Sequence, residues 1–370
     1  MAATGKLPGL NGLRAVACLS ILMFHVALLA RETNGENQLL FIKAHFGLAV
    51  PLFFGVSAFS LMYSTRIYSD RPNWIKTFLT KRFFRIAPLF YIMLALSILL
   101  KFNGPMTDRY EIFLNILFGY NLVPGYEGSL VPAGWTLGVE MIFYVTFPII
   151  FILVTRLRTA IIFGLLTTLF SAAAVVAYDE EAQILAGMPP NWSLASNLCY
   201  FGIGVLAYFI WRALEGTEYR LIGGITLACL MAVVIAGLST QPFLPAQKIL
   251  NTLTVGLAVV GAAWLPIWPL SSRIASFIGE RSFSIYLLHP LAIRYLHPLY
   301  RFFADQLPSQ WIYAVAVLAT MLIVIAAATV TYAFIERPGM ALGEILNRRR
   351  LIGSPTAPLP RSQLELSKTS

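Results

Sequence analysis

The sequence predicts an all-α, polytopic membrane protein of about ten transmembrane helices with both termini cytoplasmic. Three observations lead there. Of 370 residues, 58% are hydrophobic and only 12% charged, with a mean hydropathy of +0.73. A soluble domain carries about 25% charged residues, so this composition excludes a soluble multi-domain enzyme and a disordered chain alike. The apolar residues come in blocks of about 20, the length of a helix that crosses a bilayer, and they do not alternate with polar residues as barrel strands do. The basic residues, finally, gather on alternate connecting segments.

The spans follow in order at 10–31, 46–64, 83–101, 135–155, 159–178, 193–212, 221–238, 249–268, 282–303 and 311–335. The first has a basic start and an apolar run, as a signal peptide has. Arg14 and His25 interrupt that run, which predicts an uncleaved helix. Segment 112–124 is apolar but short and broken by Asn115, Asn121 and Pro124, so it reads as an interfacial or re-entrant piece. With the N-terminus inside, most of the 27 Lys and Arg lie on inner segments, including Arg66, Lys76, Lys81, Arg82 and Arg85. The run Arg348-Arg349-Arg350 then also falls inside, which requires an even number of spans. Residues 1–340 read as the membrane domain and 341–370 as a disordered cytoplasmic tail rich in Pro and Ser. The three cysteines, Cys18, Cys199 and Cys229, sit inside apolar blocks, so no disulfide framework is visible. The four histidines lack metal-binding spacing, so no metal is expected. No nucleic-acid partner is expected either.

Ionisable groups inside spans cost at least about 2.5–3.5 kcal/mol each at the bilayer centre and mark functional candidates. These are Arg14, His25, Glu140, His289 and Arg294, with Arg82, Arg85, Glu336 and Arg337 at inner ends. Arg14 and His25 are eleven residues apart. Eleven helical residues make three turns plus about 20° and rise about 16.5 Å. One face of the first helix therefore carries a cation near the inner end and an imidazole in the outer half. A snorkelling arginine and a histidine bonded to a neighbouring helix would explain each alone, but not their alignment. Arg82 and Arg85, at i and i+3, suit a phosphate; topology signalling explains them equally well. Glu140 lies about 7.5 Å below the outer surface, at a depth like that of His25, where a carboxylate could orient the imidazole. A plain interhelical hydrogen bond is the alternative. Cys18 shares the Arg14 face and reads as a packing residue rather than a thioester relay. His45 and His297 fall at outer span ends, where interface placement explains them.

Six blocks, in order, resemble one family. Gly12-Leu13-Arg14 with His25 resembles the R-x10-H opening of the acyltransferase-3 family of integral-membrane acyltransferases. The stretch Pro51 to Phe59, containing Ser57, resembles its D-L-F-F-x-x-S-G-F, with Pro51 for the frequent aspartate and Ala58 for the glycine. Arg82 to Pro88 resembles R-x-x-R-I-x-P. Trp135 to Glu140, with Phe143, Tyr144 and Pro148, resembles W-S-L-x-V-E-x-x-F-Y-x-x-x-P. Ser282 to His289, with Tyr286, resembles S-Y-x-x-Y-L-x-H, and Glu336-Arg337-Pro338 resembles the closing E-x-P. The resemblance covers residues 7–340 and is to the short, stand-alone type.

The resemblance implies an O-acyltransferase of the bacterial inner membrane. It would take acetyl-CoA or a related acyl-CoA as co-substrate, with no bound cofactor. The acceptor would be a hydroxyl of an envelope saccharide: exopolysaccharide, lipopolysaccharide or a peptidoglycan unit. Arg14, Arg82 and Arg85 would hold the donor phosphates, and the pantetheine arm would thread between helices toward His25. His25 would act as general base with Glu140 orienting it, although an acyl-enzyme on His25 stays open. Trp135, Tyr144, Ser57, Tyr286, His289 and Glu336 would support the site. A transporter of a sugar or lipid-linked glycan is the rival reading. It would use the same buried charges as a path, but would show inverted repeats, and none is evident. A structural subunit of a polymer assembly would leave the aligned Arg14 and His25 unexplained.

Overall fold

The computed structural model describes residues 7–29, 40–102, 108–177, 192–217, 221, 223–224, 245–264 and 268–352. Among them there is no strand. Inside lipid every backbone N–H and C=O must be paired within its own segment, which apolar runs of this length achieve only as helices. The helices are α1 (Pro8–Leu29), α2 (Leu40–His45), α3 (Ala49–Arg66), α4 (Trp74–Leu99), α5 (Arg109–Ile116), α6 (Trp135–Leu153) and α7 (Leu157–Val176). They continue with α8 (Leu194–Ala213), α9 (Pro245–Trp264), α10 (Arg273–Glu280), α11 (Ser282–Tyr295), α12 (His297–Gln306), α13 (Ser309–Thr331) and α14 (Arg337–Ile352). Polar side chains close several N-termini. Asp108 accepts from the Tyr110 N–H, Ser193 from that of Ser196 and Ser272 from that of Ala275.

Eight helical stretches among the described residues are long and apolar enough to cross a membrane. They match eight of the expected spans. The expected span at 221–238 lies almost wholly outside the described residues. The one expected at 282–303 needs correction: it is two helices, α11 and α12, which meet at Leu296. Pro298, in the first turn of α12, lacks the N–H that a continuous helix would use there, whereas Pro290 sits inside α11 without ending it. Segment 112–124 forms no span; α5 ends at Ile116 and a single 3-10 turn covers Tyr120–Leu122.

The end of the chain also departs from expectation. A π-helical segment, Tyr332–Glu336, joins α13 to α14, so one helical run extends from Trp311 to Arg348. Its 38 residues rise about 57 Å, well beyond a hydrocarbon core of about 30 Å. Residues 341–352 are thus helical rather than a tail, because α14 packs along α4, with Gly339 and Gly343 against Phe84 and Asn347 donating to the Thr77 carbonyl. Residues 353–370 lie outside the described residues.

The core is built where α3, α6, α8 and α9 meet. Phe201 of α8 stacks on Phe143 of α6 at 4.0 Å and lies 4.8 Å from Phe54 of α3. Backbone proximity makes this possible: a Cβ on Gly204 would stand 2.4 Å from the Gly55 carbonyl oxygen. At the other side α1 packs against α10, α11 and α3. There a Cβ on Gly12 would stand 2.1 Å from the Leu270 carbonyl oxygen. Small residues at such crossings let helices gain contact where lipid supplies no hydrophobic drive.

Candidate active site

A cavity of about 370 Å³ opens between α1, α3, α4, α6 and α11. Its charged lining is Arg14 from α1, Arg82 and Arg85 from α4, and Glu140 from α6. Ser57, Tyr144 and Tyr286 also face it. Seven of the residues singled out from sequence therefore share one wall. The arginines outnumber the carboxylate three to one, so the cavity is positive and suits an anion.

One helix face organises these charges. Ser57, Ser60 and Ser64 of α3 line the cavity at intervals of three and four residues, which places them on one side of the helix. Ser57 donates to Glu140 Oε1 at 2.6 Å. Arg14 donates to the Ser60 oxygen at 3.0 Å. Arg82 donates to the Ser64 oxygen at 3.5 Å. A serine hydroxyl both donates and accepts, so one residue type can hold an acid and two bases. Sequence reasoning found Ser57 but missed Ser60 and Ser64. Their spacing inside an apolar span was the available signal.

Tyr144 lies four residues after Glu140, on the same face of α6, and its hydroxyl donates to Glu140 Oε1. The Arg82 guanidinium sits 5.9 Å from the Tyr144 ring centre and 5.6 Å from that of Phe78. Glu140 is thus tied to Ser57 and Tyr144, and through Tyr144 to Arg82. It does not orient His25, as its depth had suggested; an i, i+4 partner and a serine across the α3 interface use its acceptor oxygen.

His25 is absent from the cavity lining and lies further along α1. Its partner is His289 of α11: His289 Nε2 is 3.0 Å from His25 Nδ1, and the ring centres are 4.8 Å apart. The way from cavity to histidines is aromatic. Phe53 and Tyr286 both line the cavity, with rings 5.8 Å apart, and Tyr286 lies 5.5 Å from His289. Tyr286 itself is held by its hydroxyl, which donates to the Ala133 carbonyl at 3.0 Å and accepts from Thr136 at 3.2 Å.

Besides the two histidines, Trp135 and Glu336 also stand outside the cavity wall. Trp135 packs parallel to Trp192 at 5.9 Å and edge-on to Phe54 at 6.3 Å. Glu336 is 1% exposed within the π-helical segment and accepts from Ser284, which in turn accepts from Thr331 at 2.9 Å. Cys18 is fully buried, with its thiol donating to the Ala15 carbonyl, in a cluster with Leu22, Val26 and Ile293.

The chain is similar to Acyltransferase MdmB of Streptomyces mycarofaciens, with 26% identity over 96% of each chain. It is 27% identical to the exopolysaccharide production protein ExoZ of Rhizobium meliloti, over 66% of this chain and 75% of that one. With the peptidoglycan O-acetyltransferase OatA of Listeria monocytogenes it shares 23% identity over 90% of its length, which spans 55% of that longer protein. No solved structure matches. The family model described as an acyltransferase domain matches residues 7–330. The multi-pass helical bundle described here therefore belongs to the acyltransferase-3 family.

Proposed function

We propose that this protein moves an acetyl or related acyl group from cytoplasmic acyl-CoA to a hydroxyl of a cell-envelope saccharide, in a bacterial inner membrane. The observation that carries this reading is the positive cavity joined by Phe53 and Tyr286 to the histidine pair. Arg14, Arg82 and Arg85 hold the phosphates of the donor; guanidinium–phosphate bonds are among the strongest polar contacts a protein makes. Glu140 offsets part of the arginine charge, and with Tyr144 it fixes where Arg82 points. The pantetheine arm runs past Tyr286 and Phe53 and brings the thioester to His25. His25 takes the proton of the acceptor hydroxyl as its oxygen attacks the acyl carbon. The saccharide acceptor is supported by the relatives named for peptidoglycan O-acetylation and exopolysaccharide production.

The test is incorporation of label from [14C]acetyl-CoA into envelope saccharide by membranes carrying the protein. Wild type should incorporate label, and His25→Ala should lose about 10²–10⁴-fold in rate, the usual cost of a general base. Near-wild-type turnover in His25→Ala would remove His25 from the mechanism. Wild-type membranes no better than membranes without the protein would overturn the donor assignment.

A further inference from the structure

We infer that His289 is a positioning residue that fixes the tautomer of His25 and thereby makes Nε2 of His25 the atom that receives the proton. The inference rests on the reading of His25 as the base. It adds which nitrogen acts and what holds it.

The argument is one of donors and acceptors. His289 is fully buried on α11, and its Nδ1 lies within hydrogen-bond reach of the Tyr286 carbonyl oxygen. A carbonyl only accepts, so Nδ1 of His289 carries the proton. In the neutral ring the other nitrogen, Nε2, is then an acceptor. That Nε2 faces Nδ1 of His25 at 3.0 Å. Nδ1 of His25 also lies 3.0 Å from the Ile21 carbonyl oxygen, four residues back on α1. Both neighbours of this nitrogen are therefore acceptors, and both require it to be protonated. Its single hydrogen is shared between them, a three-centre arrangement. Nε2 of His25 is left with the lone pair. A second proton on His289 would point Nε2–H at the Nδ1–H of His25, so the pair is stable only in this order.

The relay runs Tyr286 carbonyl, His289, His25, acceptor hydroxyl. In the transfer step the hydroxyl O–H bond breaks and its proton goes to Nε2 of His25, while the oxygen forms the new bond to the acyl carbon. The carbon–sulfur bond then breaks, and the departing thiolate takes the proton from Nε2. Throughout, the Nδ1–H of His25 stays hydrogen-bonded to Nε2 of His289, which holds the ring and stabilises the charge that His25 gains transiently. A fixed tautomer is worth much in such sites, because the wrong one presents a hydrogen where a lone pair is needed.

Two measurements on the full-length protein test this. In the first, His289→Gln keeps an acceptor oxygen near the place of Nε2, whereas His289→Met fills the space without one. With [14C]acetyl-CoA and membrane saccharide, His289→Gln should stay within about 5-fold of wild-type kcat, and His289→Met should fall by about 10²-fold, at the low end for loss of acid–base function. KM for acetyl-CoA should stay unchanged in both, because the arginine cavity is untouched. Equal kcat in the two variants, whether both high or both low, would overturn the inference. His25→Ala, run beside them, separates the two ideas: an active His25→Ala sinks the base assignment, whereas an inactive one with an active His289→Met sinks only the positioning role. In the second measurement, 15N chemical shifts of histidine-labelled wild type report the tautomer directly, with only four histidines to assign. A protonated Nδ1 and bare Nε2 on His25 is expected; the reverse overturns the inference even if no variant folds.

Discussion

The Ser57 hydroxyl donates a hydrogen bond to Oε1 of Glu140 across 2.6 Å, from α3 to α6, and Tyr144 reaches the same oxygen from one turn along α6. A half-buried carboxylate between helices is thus held by two hydroxyls.

That arrangement predicts a non-additive effect on stability. Ser57→Ala or Tyr144→Phe leaves Glu140 one donor and should cost about 1–3 kcal/mol. The double variant leaves the carboxylate with neither, and should cost more than the sum of the singles. Thermal unfolding of the detergent-purified proteins measures it. Strict additivity would mean that the two hydroxyls act independently of Glu140.

Arg82→Ala and Arg85→Ala should each raise KM for acetyl-CoA by about 10–100-fold, because a charge-assisted bond contributes about 1.5–3 kcal/mol. The effect of Arg82 should partly follow Ser64→Ala, since that serine accepts from its guanidinium. Unchanged KM together with inverted topology, read by cysteine accessibility at the helix ends, would make these residues orientation signals alone.

Cys18→Ser should keep most of the activity. The thiol is fully buried, bonded to its own helix and packed among aliphatic side chains away from the cavity. Alkylation in detergent should likewise leave turnover intact. An acyl-thioester trapped on Cys18 by mass spectrometry would replace direct transfer with a relay.

Gly12→Ala should destabilise the protein although it adds a single methyl. The new carbon would meet the Leu270 carbonyl oxygen at 2.1 Å, a backbone atom that cannot rotate away. Overpacking of this kind costs about 1–3 kcal/mol, and moving α1 would also move Arg14, two residues on. A loss of thermal midpoint with KM for acetyl-CoA raised is expected. An unchanged midpoint would show that α1 and the segment at Leu270 can separate freely.

Much of this was legible in sequence because lipid imposes a simple rule. Long apolar runs must be helices, so eight spans could be read directly. The break at Leu296 has two marks in the sequence, Pro298 and the more polar run His297–Gln306, but the aromatic and aliphatic residues among them make the two helices read as one span. Helical extension to Ile352 was hidden because α14 is polar and owes its place to packing on α4. That Arg14, Arg82, Arg85 and Glu140 are candidates follows from their cost in a bilayer; that Glu140 shares one cavity with the arginines does not. Pairings did not follow, because depth counted from span ends places neither the height nor the azimuth of a side chain. Glu140 stands on the cavity wall with Arg14 and bonds Tyr144, whereas His25 lies further along α1 and meets His289.

The separation of Arg14 from His25 has a consequence for donor choice. The two lie on one helix with a rise of about 16.5 Å between them, so a phosphate gripped at Arg14 leaves the base a long way off. Under the proposed reading this interval acts as a ruler with a minimum length. Acetyl phosphate, an activated acetyl donor that is also a phosphate anion, carries its carbonyl next to the phosphate and is held short of His25 by the very arginines that bind it. The bundle would thus exclude small high-energy acyl phosphates by reach rather than by affinity. They would bind the cavity as competitors of the long donor and never be consumed.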